Sequence, residues 1–266
     1  MNIFLTGSTG FIGKALLQRL VKEGHTVYCY YRGQSINLLD SSIVVHCAGE
    51  IYKENEMVES NILLTDRLLQ ESKKKGIQKF IYFGSSSEYG QKLYRMYEKD
   101  HLEPITMYGA TKGCGSLLTS VSGLNATIIR PFSVYGPGEP KHRFLPVIYD
   151  AAVSDKNLVI APGYHDFIYI DDLVDVTFCA ISRGKEIINV GTGEQFSNSE
   201  VVEIFEEVLG NPIKNKFYQQ EKLRTYDTDK WSSDPSYLKS FYSKPLVSFR
   251  DGVTKYVQYR KENSAY

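Results

Sequence analysis

A glycine-rich segment between a short apolar strand and a helix constrains the fold of this chain more than any other feature. Residues 2–6 have the character of a buried strand and run directly into Gly7, Gly10 and Gly13, spaced three residues apart. Glycines at a strand-to-helix turn let backbone amides approach a pyrophosphate at the positive end of the helix. The spacing is GxxGxxG rather than GxGxxG. At the first turn of the chain it predicts a dinucleotide site rather than a purely structural turn.

Short β-branched runs alternate with longer segments of helical period along most of the chain. We predict strands at 2–6, 26–31, 42–47, 79–84, 126–130, 167–170 and 187–190, and helices at 11–23, 57–75, 106–120, 172–182 and 199–209. This alternation is typical of parallel βαβ units. The predicted fold class is therefore α/β, with a Rossmann-like, doubly wound parallel sheet.

Prolines and glycines interrupt the alternation between positions 131 and 163, and a polar, tyrosine-rich region follows the last predicted helix. We interpret both regions as a small lobe over the C-terminal edge of the sheet, where open α/β sheets bind ligands. The predicted division is a Rossmann domain of residues 1–133 and 167–193, and a substrate-binding lobe of residues 134–166 and 194–266.

Charge balance and composition disfavour several classes of function. Lysine plus arginine and aspartate plus glutamate each total 31, so no net field attracts nucleic acid or an anionic membrane surface. The four cysteines form no CxxC pair and the five histidines show no metal-ligand spacing. We therefore expect reduced thiols and no metal site.

The start of the chain and its hydropathy bear on its location. The first predicted strand follows Met1 directly, which leaves no room for a secretory signal. The apolar runs are far shorter than the roughly 20 residues that cross a bilayer. We expect a cytoplasmic protein without a membrane span.

The end of the second predicted strand bears on the choice of cofactor. An acid at this position binds the ribose 2′-hydroxyl of NAD, whereas an arginine accommodates the 2′-phosphate of NADP. Here the strand ends in Tyr31 and Arg32, with no acid. This favours NADP(H) over NAD(H). The alternative is that Arg32 is an ordinary solvated charge.

Tyr108 and Lys112 stand four residues apart on a predicted helix, so they share a helix face. A nearby lysine lowers the cost of a phenolate, so we expect the pKa of Tyr108 to move from about 10 towards neutrality, as suits an acid or a base. The same spacing recurs at two other places in a chain with 20 tyrosines: Tyr218 with Lys222, and Tyr226 with Lys230. Position favours the first pair, because it lies between two predicted strands, one of which ends near the hydroxyl of Ser85.

Seven motifs, in order along the chain, carry a resemblance to a known family. They are TGSTGFIG at 6–13, HCAG at 46–49, GSSSEYG at 84–90, YGATK at 108–112, RPFSVYGPG at 130–138, DFIYIDDLVD at 166–175 and NVGTG at 189–193. The set resembles the extended short-chain dehydrogenase/reductase family. Within that family it is similar to the NAD(P)-dependent nucleotide-sugar epimerases, dehydratases and 4-ketoreductases.

The resemblance implies roles for particular residues. Ser85 matches the family's catalytic serine or threonine, Tyr108 its acid/base, and Lys112 the lysine that also binds the nicotinamide ribose. The implied cofactor-binding residues are Gly7, Thr9, Gly10, Phe11, Ile12, Gly13, Tyr31, Arg32, Cys47, Ala48, Gly49, Tyr108, Lys112 and Pro131. The implied contacts to a nucleoside-diphosphate sugar are Ser86, Ser133, Arg143, His165 and Arg224. A homodimer is the expected assembly.

Departures from the family pattern narrow the expected reaction. In the 4,6-dehydratases of the family, Asp and Glu follow the catalytic threonine, whereas Ser86 and Ser87 stand here, so dehydration is not expected. Ser133 and His165 replace the family's usual Asn and Arg near the substrate diphosphate. Basic residues that could take over this contact are Lys141, His142, Arg143, Lys222 and Arg224.

Only about a dozen residues join the second predicted strand to HCAG, where relatives fit a further strand and helix. The sheet is therefore expected to lack one edge strand, with an adenine pocket open enough for cofactor exchange. An epimerase retains its nicotinamide through oxidation and reduction, but a reductase releases it at every turnover. Together with Arg32, this favours an NADPH-dependent reductase of 4-keto-6-deoxy sugar nucleotides, a 4-ketoreductase of carbohydrate biosynthesis.

Two alternatives stay open. The first is an NAD(P)-dependent nucleotide-sugar 4-epimerase that uses the same three residues and holds its cofactor tightly. The second is a non-catalytic NADP(H)-sensing module, which the complete set of Ser85, Tyr108 and Lys112 disfavours.

Overall fold

Six parallel strands form the central sheet of the chain. The structure, a computed structural model, describes residues 1–184, 186–222 and 228–263. Its strands are β1 (Asn2–Thr6), β2 (Thr26–Tyr30), β3 (Ile43–His46), β4 (Lys79–Phe83), β5 (Ala126–Pro131), β6 (Ser133–Tyr135), β7 (Leu158–Ile160), β8 (Tyr164–Tyr169), β9 (Glu186–Val190), β10 (Gln195–Ser197) and β11 (Lys216–Tyr218). The central sheet has the order β2-β1-β3-β4-β5-β9, and every neighbouring pair is parallel.

Helices connect these strands. They are α1 (Phe11–Lys22), α2 (Glu54–Met57), α3 (Leu64–Lys75), α4 (Met107–Ser120), α5 (Phe144–Ser154), α6 (Ile170–Ile181), α7 (Asn198–Leu209), α8 (Ser236–Phe241) and α9 (Phe249–Asn263). A π-helical turn, Val58–Leu63, joins α2 to α3, and a 3₁₀ turn, Ser86–Tyr89, follows β4. Among the described residues, none of the helices has the length and apolar character needed to cross a membrane.

Apolar side chains cover both faces of the central sheet, because alternate residues of each strand point to opposite faces. On one face, Ile3 and Val45 belong to a buried cluster that includes Leu16 of α1. On the other face, Val44 belongs to a second cluster that includes Leu68 of α3. Strands buried on both faces are typical of parallel sheets with helices on either side. The predicted α/β fold class is confirmed.

The strand order reverses around β1, which opens a crevice at the carboxyl ends of β1 and β3. β2 pairs with one side of β1, and β3, the next strand in the chain, pairs with the other side. Gly7 follows β1 and Cys47 follows β3, so the glycine turn and the HCAG segment meet at this point. Ligands of open α/β sheets bind at such a reversal.

β2 is the edge strand on this side of the central sheet, within the part of the chain that the structure describes. Residues 31–42, which join β2 to β3, form turns and irregular backbone. The expected loss of one edge strand is therefore confirmed.

Two smaller sheets lie outside the central one. β10, β8 and β6 form a three-stranded sheet, and β7 pairs with β11. The predicted strand at 167–170 lies in this smaller sheet as part of β8, and α6 begins at Ile170 rather than at residue 172. The predicted helix at 57–75 begins earlier, at Glu54, and passes through the π-helical turn.

Candidate active site

Glycine at position 7 lets the turn after β1 pack against the segment after β3. Gly7 has a φ of +74°, and a Cβ at this position would lie 2.6 Å from the backbone nitrogen of Ala48. Another residue would strain the turn and push the two segments apart. Gly10 then precedes α1 without a side-chain cap, so the N–H groups of the first turn are available to an anion at the positive helix end. This arrangement fits the pyrophosphate of a dinucleotide.

A cleft of about 990 Å³ opens beside the glycine turn. The predicted cofactor residues that line it are Gly7, Thr9, Gly10, Tyr31, Arg32, Cys47, Ala48 and Gly49. Phe11 and Ile12 begin α1 and pack against the apolar core, Gly13 is buried within α1, and Pro131 ends β5. The structure therefore brings most of the predicted set to one cleft.

One face of the helical segment from α2 to α3 forms another wall of the cleft. Its lining residues include Glu56, Ser60, Leu64, Arg67 and Glu71. Spacings of three and four residues place these side chains on one helix face. This wall was not predicted from the sequence, although the helical period of the segment is a signal for it.

His46 is a buried packing residue next to the cleft. Its Nδ1 lies 2.7 Å from Oγ1 of Thr6, and its Nε2 lies 2.9 Å from Oγ1 of Thr65. Burial, with a smaller contribution from the charge of Lys112, lowers the pKa of His46 to about 3. The ring is therefore neutral at physiological pH and holds β3 to its neighbours.

The start of α4 brings Tyr108 to Ser85. Thr106 caps the helix by accepting a hydrogen bond from the backbone N–H of Gly109 at 3.0 Å. A Cβ at Gly109 would lie 2.3 Å from the carbonyl oxygen of Ser87, so only glycine allows α4 to approach this segment so closely. The side chain of Ser85 lies close enough to the Tyr108 hydroxyl to act to lower its pKa. Lys112, one helical turn further, is buried with its Nζ 4.5 Å from the centre of the Tyr82 ring.

The expected fall in the pKa of Tyr108 is wrong for this structure. Burial raises the pKa of its hydroxyl, while the neighbouring Ser85 side chain and the charge of Arg143 act in the opposite direction. Burial also lowers the pKa of Lys112 to about 8, against the opposing charge of Glu88. The desolvation of both groups therefore outweighs the stabilisation that the i, i+4 spacing predicts.

A buried ion pair between Glu88 and Arg130 holds the backbone of Ser85 in place. Glu88 is fully buried, and its Oε2 lies 2.8 Å from Nε of Arg130. The other oxygen, Oε1, accepts a hydrogen bond from the backbone N–H of Ser85 at 2.8 Å, and Ser116 donates to Oε2 at the same distance. This pair was not predicted from the sequence. The signal for it is one charged residue in each of two motifs that border apolar strands, Glu88 in GSSSEYG and Arg130 in RPFSVYGPG.

The structure brings together two of the predicted substrate residues. Ser133 lies on β6 and His165 on the neighbouring β8, and the serine Oγ is 3.3 Å from Nδ1 of the histidine. Ser86 is buried in the 3₁₀ turn. Arg143 precedes α5, and its positive charge acts to lower the pKa of Tyr108. Arg224 lies outside the described residues.

The two other tyrosine–lysine pairs are not placed like Tyr108. Tyr218 ends β11 and is 57% exposed, and Lys222 lies 3.0 Å from Asp229 in a surface ion pair. Tyr226 lies outside the described residues.

A side-chain contact joins the HCAG side of the site to the start of α5. The hydroxyl of Tyr52 lies 2.8 Å from Nε2 of His142, and the two rings meet edge to face at 5.0 Å. The charge of Arg143 acts to lower the pKa of Tyr108, and Tyr52 acts to raise it. Segments from two parts of the fold therefore meet close to the tyrosine.

Glu139 is a buried carboxylate beside Arg143. Its side chain is 2% exposed, its Oε1 lies 3.1 Å from Nε of Arg143, and its Oε2 has no hydrogen-bond partner among the described residues. Burial raises the pKa of Glu139 to about 7, although the charge of Arg143 opposes this.

We expect the stability of the chain to depend on the protonation of Glu139. Its pKa is higher in the folded chain than the ordinary value of 4.5, so the stabilisation by protonation is complete below pH 4.5 and is lost as the pH rises through about 7. Glu139→Gln resembles the protonated form and should flatten this decline, by at most about 1.4 kcal/mol per pH unit. Urea unfolding across this pH range measures the difference, with the exposed Glu207→Gln as control. Parallel pH profiles for wild type and Glu139→Gln would contradict the expectation.

Known proteins resemble this chain in sequence and in fold. A UDP-glucuronate 4-epimerase of Thermodesulfobacterium geofontis is 31% identical over 77% of this chain and 66% of its own length. The structure named MoeE5 in complex with UDP-glucose and NAD has a TM-score of 0.91 at 24% identity, with all of both chains covered. The structure of UDP-glucuronic acid 4-epimerase from Bacillus cereus, in complex with UDP-glucuronic acid and NAD, has a TM-score of 0.87 at 25% identity and covers 98% of this chain and 99% of its own.

The family match covers most of the chain, including the glycine turn, the residues around Ser85 and Tyr108, and the end of β9. Residues 3–191 match the family described as NAD dependent epimerase/dehydratase. The resemblance predicted from the seven motifs is confirmed, and so is the expectation of an enzyme of the short-chain dehydrogenase/reductase type. The chain belongs to the NAD dependent epimerase/dehydratase family.

Proposed function

We propose that this chain is an NAD-dependent nucleotide-sugar 4-epimerase. The observation that carries the proposal is the proximity of the Tyr108 and Ser85 side chains, with Lys112 one helical turn away, beside a cleft that fits a dinucleotide. The 4-epimerases of T. geofontis and B. cereus support the epimerase alternative over the 4-ketoreductase that the sequence favoured.

The three side chains have separate tasks in this proposal. Tyr108 takes the proton of the C4 hydroxyl of the sugar and returns it after the configuration has changed. Ser85 hydrogen-bonds the same oxygen as its charge changes. Lys112 binds the nicotinamide ribose. When bound, the nicotinamide supplies the hydride exchange at C4.

We propose that the nucleotide sugar binds to the lobe of residues 134–166 and 194–266, and the cofactor to the domain of residues 1–133 and 167–193. The proposed substrate contacts are Ser86, Ser133, Arg143, His165 and Arg224. The contact between Ser133 and His165 supports this placement, as does the action of the Arg143 charge on Tyr108.

The 4-ketoreductase alternative depends on Arg32 as a binder of the NADP 2′-phosphate and on an open adenine pocket. Arg32 forms ion pairs with Glu56 and Glu50. The helical segment from α2 to α3 lines one side of the cleft, so the cleft is not open on that side. We therefore propose NAD(H) rather than NADP(H) as the cofactor. The assembly of Ser85 with Tyr108 argues against a non-catalytic sensor.

A homodimer is proposed from an apolar surface. Exposed apolar side chains lie on α4, at its C-cap and on the π-helical turn that packs beside it, namely Leu117, Val121, Val58 and Leu63. Exposed apolar patches of this kind commonly mark interaction sites between proteins.

The test of the proposed function is conversion of UDP-glucose and of UDP-glucuronic acid by the purified protein, without added cofactor. We expect inversion at C4, read by NMR, because a retained NAD(H) is regenerated within each turnover. Chromatography of the denatured protein should release NAD(H) rather than NADP(H). Stoichiometric consumption of NADPH with a 4-keto sugar nucleotide, without inversion of either UDP-sugar, would contradict the epimerase and establish the 4-ketoreductase.

A further inference from the structure

Arg32 occupies the position after β2 where an acid usually selects NAD, and it is held by side chains from another part of the chain. Its Nη1 lies 2.5 Å from Oε2 of Glu56, and its Nη2 lies 3.4 Å from Oγ of Ser60. A second carboxylate, Oε2 of Glu50, is 3.8 Å from Nη2. Arg32, Glu56 and Ser60 all line the cofactor cleft.

Both carboxylates are held in the ionised form. Glu50 is largely buried, which raises its pKa, but it accepts hydrogen bonds from the backbone N–H groups of Tyr52, Lys53 and Ile51, and the net effect is a lowered pKa. Hydrogen bonds from the side chains of Lys53 and Arg32 lower the pKa of Glu56. The guanidinium therefore faces negative charge on the α2 side at neutral pH.

The other charged groups of this wall are already paired or lie further along it. Nη2 of Arg67 lies 2.5 Å from Oε1 of Glu59, and Glu71 lines the cleft at the α3 end. Lys53 lies 3.0 Å from Oε1 of Glu56. Arg32 is thus the cation at the end of β2, and Glu56 is its nearest counter-charge.

We propose that Glu56, assisted by Glu50, supplies the carboxylate that the end of β2 lacks, and so selects NAD(H) against NADP(H). The end of β2 is where a Rossmann sheet meets the adenosine ribose. A 2′-phosphate there would need Arg32 to leave Glu56 and would lie close to two carboxylates, and like charges at short range disfavour binding. A neutral 2′-hydroxyl meets neither cost. The inference depends on the proposed function only in that the chain binds a nicotinamide dinucleotide.

This assignment explains how an arginine, the residue expected to favour NADP, can stand in a cleft that prefers NAD. The specificity depends on the ion pair and not on Arg32 alone. Removal of the carboxylate should release the guanidinium for the 2′-phosphate, whereas removal of the arginine should not.

The test measures the dissociation constants of NADH and NADPH by fluorescence titration of the full chain, after any retained nucleotide has been removed. We expect the wild type to bind NADH more tightly, and Glu56→Gln to shift the NADPH-to-NADH affinity ratio towards NADPH by about two- to five-fold. The shift should vanish in Glu56→Gln/Arg32→Ala. Glu207→Gln is the control, because Glu207 pairs with an arginine, Arg250, but is not among the residues that line the cleft, and its ratio should equal that of the wild type.

Two results would overturn the inference, and they differ in what else they affect. An unchanged ratio in Glu56→Gln with intact NADH binding would contradict the role of Glu56 alone and leave the proposed function standing. Failure of the wild type to bind either dinucleotide would contradict the proposed function as well.

Discussion

Tyr108→Phe should lower kcat by about 10² to 10⁴ and leave the affinity for NADH nearly unchanged. The substitution removes the hydroxyl that lies beside the Ser85 side chain. It keeps the aromatic ring and does not touch the glycine turn or the cleft wall. The loss should therefore arise in proton transfer at the C4 oxygen rather than in binding. Turnover followed by NMR and fluorescence titration with NADH measure the two quantities.

Tyr218→Phe is the matched control for this experiment. Tyr218 also stands four residues before a lysine, but it is exposed at the end of β11. Its removal should leave kcat within a few-fold of the wild type. Full activity of Tyr108→Phe would contradict the assignment of the active site. A large loss at Tyr218 would instead place β11 against the substrate.

The central sheet could be predicted from the sequence because its inner strands are buried on both faces. Strands such as β1 and β4 are therefore short apolar runs, and the helices between them show a helical period. The smaller sheets could not be predicted in this way. β6, β7, β10 and β11 have three residues each, and a run of that length is too short to show a periodicity of two.

The candidate site was predictable where one motif follows one strand or begins one helix. Gly7 and Tyr108 are of this kind, since each stands at a fixed place relative to the sheet. Interactions between distant segments were not predictable. The partners of Arg32 come from the residues after β3, and they change its expected role from a phosphate ligand to one half of an ion pair. The raised pKa of Tyr108 likewise follows from burial, which the spacing to Lys112 does not reveal.

Glu88→Gln should lower the free energy of unfolding by about 3 to 5 kcal/mol. Glu88 and Arg130 are 0% and 4% exposed, so the substitution leaves a buried guanidinium without its counter-charge. Arg130 cannot release its proton to escape this cost. Its remaining contacts, from Nη1 to the hydroxyl of Tyr89 at 2.8 Å and to the carbonyl oxygen of Glu98 at 3.2 Å, carry no full negative charge. Urea unfolding at neutral pH measures the loss.

Two further variants separate the buried charge from other effects of the substitution. Glu207→Gln breaks an exposed ion pair with Arg250 and should change the free energy of unfolding little, because solvent screens such pairs. Glu88→Gln/Arg130→Met removes both charges and should recover part of the stability, since replacement of a whole buried pair by apolar contacts is often tolerated. A loss at Glu88→Gln no larger than that at Glu207→Gln would contradict the prediction. Equal losses in Glu88→Gln and the double variant would show that Glu88 stabilises the fold through the N–H of Ser85 and the hydroxyl of Ser116 rather than through Arg130.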